Sequence, residues 1–140
     1  MHTKQQLIDA FRHLGLAAGD IVLVHSSLRR LGPVDGGADT VLDALQETIG
    51  PQGLLALPTH TFAVVNADTP FDVVYTDGNV GTLSNVFRKR PGVVRGLHPT
   101  HSIAALGPRA AAFVRVSFDD DRPCSDNSPY SRLCAWGGKV

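Results

Sequence analysis

Leu7, Ile8, Phe11 and Leu14 recur at the spacing that lines one face of a helix, behind a Thr3-x-x-Gln6 capping box. That pattern predicts an amphipathic helix, and Gly15 stops it. After Gly19-Asp20 the pattern changes. Ile21-Val22-Leu23-Val24-His25 is apolar and β-branched without polar alternation, which suits a strand covered on both faces. Ser26 and Ser27 follow at its carboxyl end. Gly36-Gly37-Ala38-Asp39 leads into Val41, Leu42, Leu45 and Ile49, a second helical stripe closed by Gly50-Pro51. Gly53 to Pro58 reads as the next buried strand, with Thr59-His60-Thr61 at its end. Two helix-to-strand units in succession predict one layered α/β/α domain over residues 1–140, built on a central, mostly parallel sheet.

The later pattern is less regular. Asn66 to Gly81 carries Asp68, Pro70, Asp72 and Asp77 and reads as a long surface loop of the kind that lids a site or meets substrate. Leu83, Val86 and Phe87 mark a short helix opened by Gly81-Thr82. Ile103 to Leu106 is a short strand, Pro108 to Val116 a helix with proline first, and Asp119 to Asn127 a polar loop. Trp136 to Val140 reads as a turn with a strand just beginning. A frayed terminus explains that, and so does a chain that stops early and leaves the sheet incomplete at its C-terminal end.

Composition narrows the class. Of 140 residues 43% are hydrophobic and 19% charged, which excludes a disordered chain. Thirteen basic residues balance thirteen acidic ones, leaving no basic field to gather nucleic acid or a membrane surface. Cys124 and Cys134 cannot form a disulfide scaffold, and no apolar run approaches the roughly 20 residues that span a bilayer. A soluble, cytoplasmic domain is expected.

The candidate chemistry sits at strand ends, where open α/β sheets collect ligands. His25 closes the first strand and His60 follows the second. His98 and His101 lie in Leu97-His98-Pro99-Thr100-His101-Ser102. Neutral imidazole accepts a proton near pH 7, so His98 is the first candidate for a general base, against the plainer role of a hydrogen-bonded structural histidine. Pro99 argues against a helix carrying His98 and His101 as paired metal ligands, and the cysteines lack zinc-site spacing, so no metal is expected. A Gly-x-Ser-x-Gly elbow, a Walker loop and a Gly-x-Gly-x-x-Gly are all absent from the sequence. Ser26-Ser27-Leu28-Arg29-Arg30 nevertheless offers hydroxyls, amides and guanidinium groups past a strand, a combination that suits a pyrophosphate-bearing cofactor.

These residues have a counterpart. Gly19 to Leu28 and Leu31 to Ala38 resemble segments of the aminoglycoside 3-N-acetyltransferases, as do Gly50 to Leu54 with Leu57-Pro58-Thr59, and Arg88 to Gly92. So do Arg95 to Ser102, continuing through Gly107-Pro108, then Asn127 to Tyr130 and Gly137 to Val140. The resemblance covers nearly the whole chain in order. It implies an α/β/α fold that binds acetyl-CoA and passes the acetyl group to the 3-amino group of the deoxystreptamine ring of an antibiotic. By position it makes His98, with His101 beside it, the catalytic candidates. It likewise places His25, Ser26, Ser27, Leu28 and Arg29, with Gly81 and Thr82, on the CoA side. Thr59, His60, Asp72 and Ser128 are the candidates on the amine side. Members of that family are considerably longer and continue past Gly-Gly-Lys-Val along an apolar strand.

Three readings follow. The first is direct acetyl transfer with a histidine base, taken from this chain or from a segment beyond it. A second keeps acyl-CoA chemistry but changes the amine, for example to an aminophosphonate. The third is an inactive fragment or interaction module, which would bury its open sheet edge by pairing as a homodimer.

Overall fold

The computed structural model describes residues 1–117 and 122–140. The aspartate run 119–121 therefore lies outside the described residues. Helix α1 (Lys4–His13) carries the expected capping box: Thr3 Oγ1 accepts from the Gln6 amide, and the Gln6 side chain accepts from the Thr3 amide. Strand β1 (Ile21–Leu23), helix α2 (Leu28–Leu31), helix α3 (Gly37–Ile49) and strand β2 (Leu54–Pro58) follow. After a long loop come α4 (Thr82–Phe87), β3 (Val94–Arg95), β4 (Ile103–Leu106), α5 (Ala110–Val114) and α6 (Pro129–Ala135).

The four strands form one sheet in the order β1-β2-β4-β3. The α/β class expected from the buried runs is present, but the sheet is mixed. Only β1 and β2 pair in parallel; β4 runs antiparallel to both β2 and β3. The physical reason lies in the connections. Short loops leave β3 and β4 in opposite directions, and residues 96–102 make the turn between them at the end of the sheet where β2 finishes. An apolar run does not record its own direction.

Both faces are covered, as unalternated strands require. Val22, Leu55, Leu57 and Ala104 pack beneath α1, α3 and α4 with Leu7, Ile8, Leu42, Leu45, Leu83 and Phe87. Leu23, Leu54, Ala56, Ile103 and Ala105 pack on the other face against α5 and α6 through Phe113, Val114 and Leu133. The turn at Trp136 to Val140 leads where its pattern pointed. Lys139 pairs with Val22 in a parallel bridge on the free edge of β1, and its ammonium lies 2.6 Å from the Asp20 carboxylate. Among the described residues no helix is long and apolar enough to cross a membrane.

Helices α2 and α6 and strand β3 were not expected from the pattern. For α6 a signal existed: Ser128-Pro129 is a cap followed by proline at the first helical position.

Candidate functional site

One rim of the sheet collects the candidate residues. The carboxyl ends of β1 and β2 and the amino end of β4 meet there, because β4 is antiparallel. The β2–β4 pairing also runs past both strands. Thr59 donates its amide to the Ser102 carbonyl and Thr61 donates to Thr100, each at 2.9 Å. That register sets His60 opposite His101, with ring centroids 4.9 Å apart. His98 meets His101 edge-on at 5.7 Å, and Phe62 stacks on His101 at 5.7 Å.

Each imidazole has a distinct environment. His60 Nε2 lies 2.5 Å from the Tyr130 hydroxyl, contributed by α6. Burial, with His101, His25 and His98 nearby, lowers its pKa from 6.5 to about 4, so His60 is neutral at pH 7. Burial also pushes the Tyr130 phenol up to about 12. His98 Nδ1 accepts from the backbone amides of His101 (3.0 Å) and Thr100 (3.3 Å). Its neutral ring therefore carries the proton on Nε2, and the lone pair at Nδ1 is engaged in closing the 98–101 turn. His101 Nδ1 meets the Thr100 hydroxyl at 2.8 Å.

The segment after β1 lies beside this cluster. His25, Ser26, Ser27, Arg29 and Arg30 are exposed, and Leu28 is half-buried. Ser27 precedes α2 without a side-chain cap bond. A cavity of about 330 Å³ opens here, with Val24, Leu28, Leu31, Val41 and Leu83 as apolar walls and Ser26, Ser27 and Arg30 as polar lining. Gly81 adjoins it: a Cβ on that residue would stand 3.9 Å from the Ser26 carbonyl oxygen. Its φ of +126° is a conformation that favours glycine, and Thr82 next to it is exposed. Of the residues expected on the cofactor side, His25, Ser26, Ser27 and Leu28 line this cavity, while Arg29, Gly81 and Thr82 lie outside its lining.

Three amine-side candidates have hydrogen-bonding partners within the fold. Thr59 is 0% exposed, donates its hydroxyl to Ser102 O and receives Arg95 Nε, so it presents nothing to a ligand. Ser128 is buried and caps α6 through the Ser131 amide. The Asp72 carboxylate accepts the Val74 and Tyr75 amides at 2.8 Å each and shapes its own loop. Helix-capping chemistry and loop chemistry look like ligand chemistry in a sequence, because the same side chains do both. Of the other carboxylates, Asp77 pairs with Arg88 and Lys89, while Asp68 and Asp126 are exposed.

Tyr130 and Arg95 also contact the rim, through His60 and through Thr59 and Ser102, and neither was singled out from the sequence. Arg95 is buried behind the rim with five hydrogen bonds to its guanidinium, and an arginine ordinarily reads as surface. Among the described residues no group of three or more His, Cys, Asp or Glu is placed to hold a metal ion. A larger cavity, about 690 Å³, lies at the opposite end of the sheet between Gln46, Glu47, Gly50, Gly53, Leu106 and Gly107. It contains none of the candidate residues. Size alone favours it; the concentration of titratable and hydroxyl groups favours the histidine rim.

Comparison with known proteins agrees with the motifs. The family described as Aminoglycoside 3-N-acetyltransferase matches residues 23–140. Aminoglycoside N(3)-acetyltransferase VII of Streptomyces paromomycinus is 36% identical over 156 residues, which is 99% of this chain and 54% of that protein. The solved structure of AAC-IIIb, binary with CoASH, superposes with a TM-score of 0.82 at 28% identity, covering 98% of this chain and 57% of that one. AAC-VIa bound to sisomicin superposes with a TM-score of 0.83 at 29% identity, over 98% and 57%. The chain spans about half the length of the curated relatives it matches. Fold, motif order and family match coincide, and the chain belongs to the aminoglycoside 3-N-acetyltransferase family.

Proposed function

We propose that this chain provides the acetyl-CoA-binding rim of an acetyl-CoA-dependent N-acetyltransferase that acts on the 3-amino group of the 2-deoxystreptamine ring of aminoglycosides. The observation that carries it is the cavity lined by His25, Ser26, Ser27, Leu28 and Arg30 beside the histidine cluster, with Gly81 next to the Ser26 carbonyl. Support comes from the family, from the CoASH held by AAC-IIIb and from the sisomicin held by AAC-VIa. In this reading the apolar cavity walls take the pantetheine arm, while the serine hydroxyls and Arg29 and Arg30 meet its phosphates. In this reading the reaction belongs in the cytoplasm, where an acetyl-CoA donor is available.

The chemistry is acyl transfer. The substrate ammonium gives up a proton to the base, the amine nitrogen attacks the thioester carbonyl carbon, the tetrahedral intermediate collapses with cleavage of the C–S bond, and the second proton lost by the nitrogen balances protonation of the departing CoA thiolate. Exposed hydroxyls at Ser26, Ser27 and Thr82 are the donors proposed for the oxyanion. The two catalytic candidates divide the work. His98, with Nδ1 held by backbone amides, orients the 98–101 turn; His101, whose hydroxyl partner Thr100 can donate or accept, takes the amine proton.

The test is thiol release from acetyl-CoA with sisomicin or gentamicin present. Amine-dependent release is expected, lowered about 10²–10⁴-fold in His101→Ala with CoA binding retained. Folded protein that binds CoA yet releases no thiol with any 3-amino drug would remove the acetyltransferase reading.

A further inference from the structure

Arg95 poses a problem of charge. Its residue is 8% exposed, and no carboxylate among the described residues pairs with it. Burying a cation without a counter-ion is costly unless polar groups replace its water. Here they do. Nε donates to the hydroxyl oxygens of Thr59 (3.2 Å) and Ser102 (3.1 Å), and Nη2 donates to the Thr59 carbonyl (2.9 Å). Nη1 donates to the carbonyls of Thr76 (2.6 Å) and Val73 (3.2 Å), and the Phe71 ring lies over the guanidinium at 5.0 Å. One side chain therefore joins the end of β2, the start of β4 and a loop that has no regular structure of its own.

That loop borders the histidine rim. The Asn79 amide donates to the His60 carbonyl at 2.7 Å, and Arg88 Nη1 donates to the Val74 carbonyl at 2.6 Å. Between these ties Val74 and Tyr75 are 61% and 84% exposed, a wall without apolar anchoring of its own. A planar fork of donors suits such a wall, because it satisfies several carbonyls in one fixed geometry where an ammonium would satisfy fewer.

We propose that Arg95 is a positioning residue that fixes the 71–77 loop against the His60–His101 rim, so that the loop forms one wall of the site receiving the amine. The loop assignment stands on geometry; its link to the amine rests on the acetyltransferase reading.

The experiment uses Arg95→Met and Arg95→Lys in the full chain, with amide hydrogen exchange and steady-state kinetics as readouts. In Arg95→Met, exchange is expected to speed about tenfold or more within residues 71–77 while the α1 and α3 amides keep wild-type protection. The KM for the aminoglycoside rises about tenfold or more with the KM for acetyl-CoA unchanged, and Arg95→Lys recovers part of both effects. Uniform loss of protection, or equal change in both KM values, would overturn the positioning role. If Arg95→Met does not fold, Phe71→Leu, which removes only the ring over the guanidinium, is read by the same two criteria. Wild-type protein without thiol release would sink the acetyltransferase reading while the exchange result still decides the loop.

Discussion

Gly107→Ala is expected to lose roughly 2–6 kcal/mol of stability, seen as a lower urea midpoint with an unchanged slope. Two independent terms supply that figure. Gly107 has φ of +140°, outside the conformations an L side chain adopts readily, and holding alanine there costs about 1–3 kcal/mol. Its Cβ would also stand 2.4 Å from the Gly53 carbonyl oxygen and 3.1 Å from Leu54 Cα. Both neighbours are backbone and cannot rotate aside, so the ends of β2 and β4 must separate, an overpacking cost of about 1–3 kcal/mol. For a domain whose whole stability is about 5–15 kcal/mol, that can be decisive. An unchanged midpoint would mean that the β2–β4 register differs from Leu55↔Leu106.

Lowering the pH through the slightly acid range is expected to destabilise the fold through one residue at the rim. The pKa of His60 falls from 6.5 to about 4 on folding, so between those values the unfolded chain binds a proton that the native chain does not. Stability therefore decreases as pH drops from about 6.5 toward 4 and levels off below. The full shift corresponds to roughly 3 kcal/mol, and because the ring is only partly buried about 1–2 kcal/mol is the working figure. Asp20, held low by Lys139, and Asp77, held low by Arg88, act in a separate window: their stabilisation is lost only as pH falls below the ordinary aspartate value of 3.8. His60→Gln should flatten the upper window and leave the lower one. Urea midpoints at pH 7, 5.5 and 4.5 read the difference, and an equal slope in both proteins would contradict the assignment.

Much of this fold was legible. The face of Leu7, Ile8 and Phe11, the stripe of Val41, Leu42, Leu45 and Ile49, and the unbroken runs at Ile21 and Leu54 each state which side is covered. Strand direction was not legible, since Ile103-Ala104-Ala105-Leu106 reads alike either way, and without direction His60 could not be set opposite His101. The rim histidines could be found because strand ends collect ligands; which nitrogen of His98 the 98–101 turn occupies could not, because it depends on the folded turn. Thr59 and Ser128 show how burial escapes the sequence. Their hydroxyls suit a substrate and also suit a buried hydrogen bond, and only burial separates the two. Arg95 left no signal in the sequence beyond its place in a motif, because its acceptors are mostly carbonyls and hydroxyls scattered from Thr59 to Ser102.

In the proposed function CoA binds at the carboxyl end of β1. The most direct measurement is an amide chemical-shift titration of the protein with CoA. Shifts are expected to concentrate at residues 24–31 and 81–83, with Gly50, Gly53 and Gly107 at the far cavity unmoved. Shifts centred on that opposite cavity, or none at the Ser26-Ser27 segment under saturating CoA, would contradict it.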